Sequence, residues 1–176
     1  MRGVDLDTEM ARLPLRRAYR AGASAVALLL AVNMAASAEP NTTEGGVWGA
    51  DERKTEVGPT KYFTGRVLVE RLFPPDSDIP VSAAYVTFEP GARSNWHTHP
   101  AGQRLLVTSG VGRTQTEGGL VEIIRAGDVI VCPPDTKHWH GAAPNSAMTH
   151  LALTGRREGK SVQWLDPVTD KDYEAR

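Results

Sequence analysis

Gly91-Ala-Arg-Ser-Asn-Trp-His97-Thr-His99-Pro-Ala-Gly-Gln103 sets two imidazoles two residues apart, and a side-chain carbonyl follows four residues later. Side chains at i and i+2 of an extended strand share one face, so His97 and His99 can point the same way. Pro100–Gly102 supplies a turn between them and Gln103. A second pair, His138 and His140, stands beyond another turn at Pro133-Pro134-Asp135. Two neighbouring strands can therefore bring nitrogen donors to one point, as a divalent metal requires. The fifth and last histidine, His150, also falls in this half of the chain.

Outward from these pairs the sequence reads as short β-type runs. Candidate strands are Tyr62–Phe73, Val81–Phe88, Ser94–Thr98, Leu105–Ser109, Gly112–Thr116, Leu120–Ile124, Asp128–Cys132, His138–His140 and Met148–Thr154. Turn residues divide them, among them Pro90-Gly91, Gly110, Gly118-Gly119, Gly127 and Pro144-Asn145. Strands this short and closely spaced predict an all-β barrel or sandwich. One short helix is expected over Val168–Arg176.

The first 38 residues read differently. Arg12, Arg16, Arg17 and Arg20 precede an apolar run from Ala21 to Met34, and Ala36-Ser37-Ala38 is a small-residue cleavage signature. The run is about 14 residues, short of the roughly 20 that span a bilayer. A cleaved signal peptide over 1–38 is expected, followed by a polar, aperiodic arm over 39–58 and the folded domain over 59–176. The arm is either flexible or a strand that packs on a partner subunit. Removing residues 1–38 leaves 15 Lys+Arg against 18 Asp+Glu, a net charge of −3. A soluble periplasmic or secreted product is expected, with no membrane association after cleavage. No basic block points to nucleic acid. The single cysteine, Cys132, excludes an internal disulfide framework and a cysteine-based zinc site.

Two longer patterns carry a family resemblance. Gly91-x5-His97-x-His99-x3-Gln103-x6-Gly110 resembles the first cupin motif, with Gln where glutamate is usual. Gly127-x5-Pro133-x-Asp135-x2-His138 resembles the second, with Asp135 in place of glycine and Ala142 in place of a terminal asparagine. The resemblance implies a single-domain cupin, a jelly-roll barrel. Phe88–Pro100, Lys137–Pro144 and Met148–Ala152 are further similar to the small manganese cupins of the hydroxynitrile lyase group. That likeness covers about Thr55 to Tyr173. It implies His97, His99, Gln103 and His138 as metal ligands and His140 and His150 as polar pocket residues. It also implies that Ala84, Val86 and Ser94 line the cavity. Where such lyases have a glutamine, this chain has Thr154, and Ser94 stands for a threonine.

The donor types suggest why such a site would do Lewis-acid chemistry. Three neutral imidazoles and one amide oxygen leave a divalent ion its full charge, which favours binding of cyanide, hydroxide or an alkoxide. Manganese is the expected metal, with iron, nickel, cobalt or zinc as alternatives. The expected reaction is cleavage of a cyanohydrin. His140 would take the hydroxyl proton and His150 would hydrogen-bond the oxygen. Alternatives are a cupin oxygenase, a decarboxylase-type enzyme, or a non-catalytic periplasmic protein that binds metal or a small molecule. Trp96 and Trp139 are expected in the barrel wall and Cys132 as a buried small hydrophobe. Arg93 and Arg104 read as solvated or paired charges. A homodimer or homotetramer that hides an edge strand such as Tyr62–Phe73 is expected.

Overall fold

The computed structural model describes residues 46–175. The signal peptide expected over 1–38 lies outside the described residues, as does the first part of the arm over 39–58.

Among the described residues a 3-10 turn, Ala50–Glu52, precedes twelve strands and one helix. The strands are β1 (Thr55–Val57), β2 (Phe63–Thr64), β3 (Val67–Phe73), β4 (Val81–Phe88), β5 (Arg93–Ser94), β6 (His97–Thr98) and β7 (Gln103–Thr116). They continue with β8 (Glu122–Arg125), β9 (Val129–Cys132), β10 (His138–Ala142), β11 (Met148–Gly155) and β12 (Gln163–Trp164). The helix is α1 (Asp170–Glu174). The strands form one curled sheet in the order β1-β3-β4-β11-β7-β10-β5-β2, with β8 and β9 on β7 and β6 and β12 beside β10. Short, closely spaced strands predict a barrel or a sandwich, and the chain forms the barrel that the cupin resemblance implies.

One strand makes the barrel close. β7 is 14 residues long. Its first half pairs with β11 and β9, and its second half with β10 and β8. The sequence predicts two strands here, split at Gly110. Instead the chain bends at Gly110 and continues. Gly110 has φ +75°, and a Cβ there would lie 1.9 Å from the Ala147 carbonyl oxygen. Only glycine serves at such a corner. Tyr62–Phe73 departs in the opposite sense: it is two strands, divided at Gly65 (φ +78°), where the backbone lies against Ala92. Ser94–Thr98 is likewise divided into β5 and β6, because Asn95 and Trp96 hydrogen-bond away to Tyr62 and Asp166. β3 is not an edge: β4 lies on one side and β1, from the expected arm, on the other.

Alternation along the strands fills the interior. Val67, Phe88, Val107, Ile124 and Met148 form the main core with Ala92 and Ala142. Each large side chain there contributes about 1.5–3 kcal/mol relative to exposure. A second cluster places Trp139, fully buried, against Val168, Tyr173 and Trp96. The indole rings of Trp96 and Trp139 meet edge to face at 6.5 Å. Cys132 is buried, and desolvation pushes its thiol up to about 11.

The C-terminal segment fastens this wall. The helix runs Asp170–Glu174, shorter than expected, with the Thr169 hydroxyl capping it through the Asp172 N–H. Arg93, read from the sequence as a solvated or paired charge, is paired and also buried. It donates to the Val168 carbonyl and to Asp170 Oδ1 at 2.6 Å. Tyr173 donates its hydroxyl to the Ala142 carbonyl at 2.7 Å, tying the helix to the end of β10.

The corner at Gly110 gives a direct test. A Gly110→Ala variant combines a left-handed backbone with a backbone clash and is expected to lose about 3 kcal/mol or more in urea denaturation. A loss under about 0.5 kcal/mol, the scale of a neutral surface change, would show that β7 does not need this bend.

Candidate metal centre

All five histidines meet inside the barrel. β6 carries His97, the turn after it His99, β10 both His138 and His140, and β11 His150. His138 lies opposite His97 in the ladder between β10 and β6. Ring centres of His97 and His138 are 4.3 Å apart, those of His97 and His99 5.0 Å, and those of His99 and His138 5.4 Å. Ring nitrogens of His97, His138 and His140 come within 4.8 Å of one another.

Backbone carbonyls orient three of these rings. Nδ1 of His97 lies 2.8 Å from the Asn95 carbonyl, Nδ1 of His138 2.9 Å from that of Thr136, and Nδ1 of His99 2.6 Å from that of Ser161. A carbonyl can only accept, so each Nδ1 carries the proton and each Nε2 presents a lone pair. Nε2 of His99, His138 and His140 is buried without a hydrogen-bond partner. Gln103 behaves alike. Its Nε2 donates to the Thr154 hydroxyl at 2.9 Å, and its Oε1 is buried and unpartnered. Buried polar atoms normally find partners. A cluster of unpartnered lone pairs is a donor set for a cation, and the residues present fit a divalent metal.

Electrostatics agree with that use. Desolvation holds His97 and His140 well below the ordinary imidazole value, with neighbouring histidines adding to it. Burial lowers His138 too, His99 to about 4 and His150 to about 3. All five rings are neutral at pH 7, the form that ligates metal.

His140 differs from its neighbours. Its Nδ1 lies 3.1 Å from Nε2 of His150 rather than from a carbonyl. His150, fully buried, meets His140 through Nε2 and leaves Nδ1 without a partner. Both stand at a cavity of about 350 Å³ whose walls include Phe63, Val69, Val86 and Trp164. Ala84, Val86 and Thr154 are on this wall as well. Ser94 is not, and its place as a pocket residue is corrected: it is buried under β10, where its hydroxyl accepts the His140 N–H at 3.2 Å. Among the described residues no acidic side chain lines the cavity, and Arg71, paired with Glu56, is the one charged group there.

Several contributors escape a reading of side-chain types. The carbonyls of Asn95, Thr136 and Ser161 have no sequence signature, since every residue carries one. Tyr62 and Trp164 stack at 4.6 Å beside His97, and β12, which brings Trp164 there, is too short to stand out. The Gln103–Thr154 contact joins residues 51 apart in the chain.

Comparison with known proteins agrees with this architecture. The cupin domain model matches residues 84–153. A protein of Granulicella tundricola named (R)-mandelonitrile lyase is 55% identical over 116 residues, which cover 66% of this chain and 88% of the relative. The crystal structure of a cupin-like protein from Thermotoga maritima is 39% identical, with a TM-score of 0.63 over 66% of this chain and 89% of that one. A cupin 2 conserved barrel domain protein from Rhodopseudomonas palustris shares the fold at 19% identity, with a TM-score of 0.55 over 68% of this chain and 80% of that one. With its barrel, its buried histidines and these likenesses, the chain belongs to the cupin family.

Proposed function

We propose that the protein is a metal-dependent lyase that splits a cyanohydrin into an aldehyde and hydrogen cyanide, or joins them in reverse. The observation that carries this reading is the cluster of buried, unpartnered imidazole nitrogens and one amide oxygen beside a mainly apolar cavity that His99, Gln103 and His140 help to line. The 55% identity to a protein named (R)-mandelonitrile lyase supports the same choice. His97, His99, His138 and Gln103 would hold the ion, with manganese first among the divalent metals that accept nitrogen and oxygen donors. Bound there, the metal would supply Lewis acidity undiminished by ligand charge.

The chain's own residues supply the rest. Apolar walls of Phe63, Val69 and Val86 exclude water and take up an uncharged small molecule. His140 Nε2 is the base. The hydroxyl O–H bond breaks and its proton passes to that nitrogen, while the oxygen's electron pair forms C=O. The bond to cyanide breaks, cyanide leaves with the pair, and the proton held on His140 goes to it. His150 fixes the His140 ring through the Nδ1 contact. Ser94 fixes its backbone. We further propose that residues 1–38 direct export to the periplasm and are removed there.

Cyanide release from mandelonitrile, assayed on protein whose metal content is measured, tests the reading. The metal-loaded protein is expected to release cyanide, and chelation to abolish it. His140→Ala is expected to lose at least about a hundredfold in turnover with the metal retained. Loss of metal in that variant would make His140 a ligand instead of the base. A metal-loaded protein inert on aliphatic and aromatic cyanohydrins would overturn the lyase reading.

The buried neutral rings also set an acid limit for the metal-free protein. Unfolded histidine takes up a proton near 6.5, whereas His99 does so only at about 4 and His150 at about 3 in the fold. Folded values below unfolded ones mean that stability is complete above pH 6.5 and declines as pH falls toward 4 and 3. The urea midpoint of the apoprotein is expected to drop between pH 7 and pH 4.5. A midpoint that holds constant over that interval would contradict the burial of neutral imidazoles.

A further inference from the structure

We propose that Thr154 is a positioning residue that holds the Gln103 amide, by accepting from its Nε2, with the amide oxygen toward the histidine cluster. The inference rests on reading that cluster as a metal centre, and it concerns a position where this chain departs from the lyase-like pattern.

The two ends of a glutamine amide are nearly equal in size, so packing alone does not choose between them. Their chemistry is opposite: Oε1 offers lone pairs, Nε2 offers two hydrogens. Only one orientation makes Gln103 a ligand. With Nε2 turned toward the imidazole lone pairs, its hydrogens would fill the space a cation needs.

The structure shows one of the two orientations held. Gln103 on β7 and Thr154 on β11 lie directly opposite one another in the ladder, where cross-strand side chains touch. Thr154 Oγ1 stands 2.9 Å from Gln103 Nε2. Gln103 is 6% exposed and its Oε1 has no partner. Held at Nε2, the amide has its oxygen left over and aimed away from the hydroxyl. A valine at 154 would keep the shape and remove the acceptor, leaving the amide free to turn.

Thr154 also lines the cavity, so one side chain borders the space for substrate and holds a ligand in register. This placement distinguishes it from Ala84 and Val86, which line the same wall with no hydrogen-bonding side chain to offer.

Manganese(II) titrated by calorimetry into chelator-stripped protein tests this. Thr154→Val is expected to weaken binding by about tenfold or more, and Thr154→Ser, which keeps the hydroxyl, to stay within about threefold of the parent. In a Gln103→Leu background the Val substitution is expected to change nothing further, because no amide remains to orient. Equal affinity of the Val variant and the parent would overturn the proposal. So would a loss of the same size in the Gln103→Leu background, since that marks general structural damage. Should valine prevent folding, Thr154→Ala against Thr154→Ser makes the same comparison. A parent protein that takes up no manganese, iron, cobalt, nickel or zinc would overturn the metal reading itself, an outcome separate from any difference among the variants.

Discussion

The site depends on three backbone carbonyls. Those of Asn95, Thr136 and Ser161 each take an Nδ1 proton from a histidine, and each thereby turns an Nε2 lone pair inward. A buried polar atom with no partner costs about 1–3 kcal/mol, and several stand together here. The fold tolerates the concentration because the rings cannot escape it: rotation would exchange a satisfied nitrogen for an unsatisfied one. The arrangement is preorganised for something that accepts lone pairs, and binding it would recover the cost.

That rigidity is inherited from the barrel. β10 is buried along its whole length, and it pairs with β7 on one side and with β5 and β6 on the other. His138 and His140 alternate with Trp139, so one face of the strand presents imidazoles while the other buries an indole against Val168 and Tyr173. Tyr173 and Arg93 secure the end of the strand from outside. The helix is therefore part of what holds the site, though no helical residue approaches the cavity.

The sequence carried the centre of this architecture more plainly than its edges. His97 and His99 are two apart and precede a turn, as are His138 and His140 after another, and period-two spacing says at once that each pair can share a purpose. Glycines 91, 110 and 127 were legible as chain reversals, but Gly110 shows the limit of that inference. A positive φ breaks a strand or bends it, and which occurs depends on Ala147 packed across the corner, a contact set by tertiary structure. Arg93 meets a related limit: its charge leaves open whether it is solvated or paired, and its partners Val168 and Asp170 lie more than 70 residues away. Ser94 lies on the same strand as neighbours that face inward, yet the break between β5 and β6 turns it under His140 rather than toward the cavity. The histidine pair His140–His150 was visible as two residues and not as a contact.

Charge gives the site its direction. The donors are neutral, burial keeps them so, and among the described residues the cavity offers no carboxylate to compensate a cation. In a medium of low dielectric an uncompensated divalent charge attracts anions far more strongly than it would in water. A ligand carboxylate at position 103 would have satisfied part of that demand from within the protein. With Gln103 in its place and a metal bound as proposed, the demand would pass to whatever enters the cavity, and a species that becomes anionic only as a bond breaks would gain most at that moment. Stabilisation that grows along the reaction is what accelerates it. On the proposed reading, an amide where a carboxylate is usual is thus a choice of chemistry, and Thr154, by keeping the amide oxygen toward the cluster, maintains that choice.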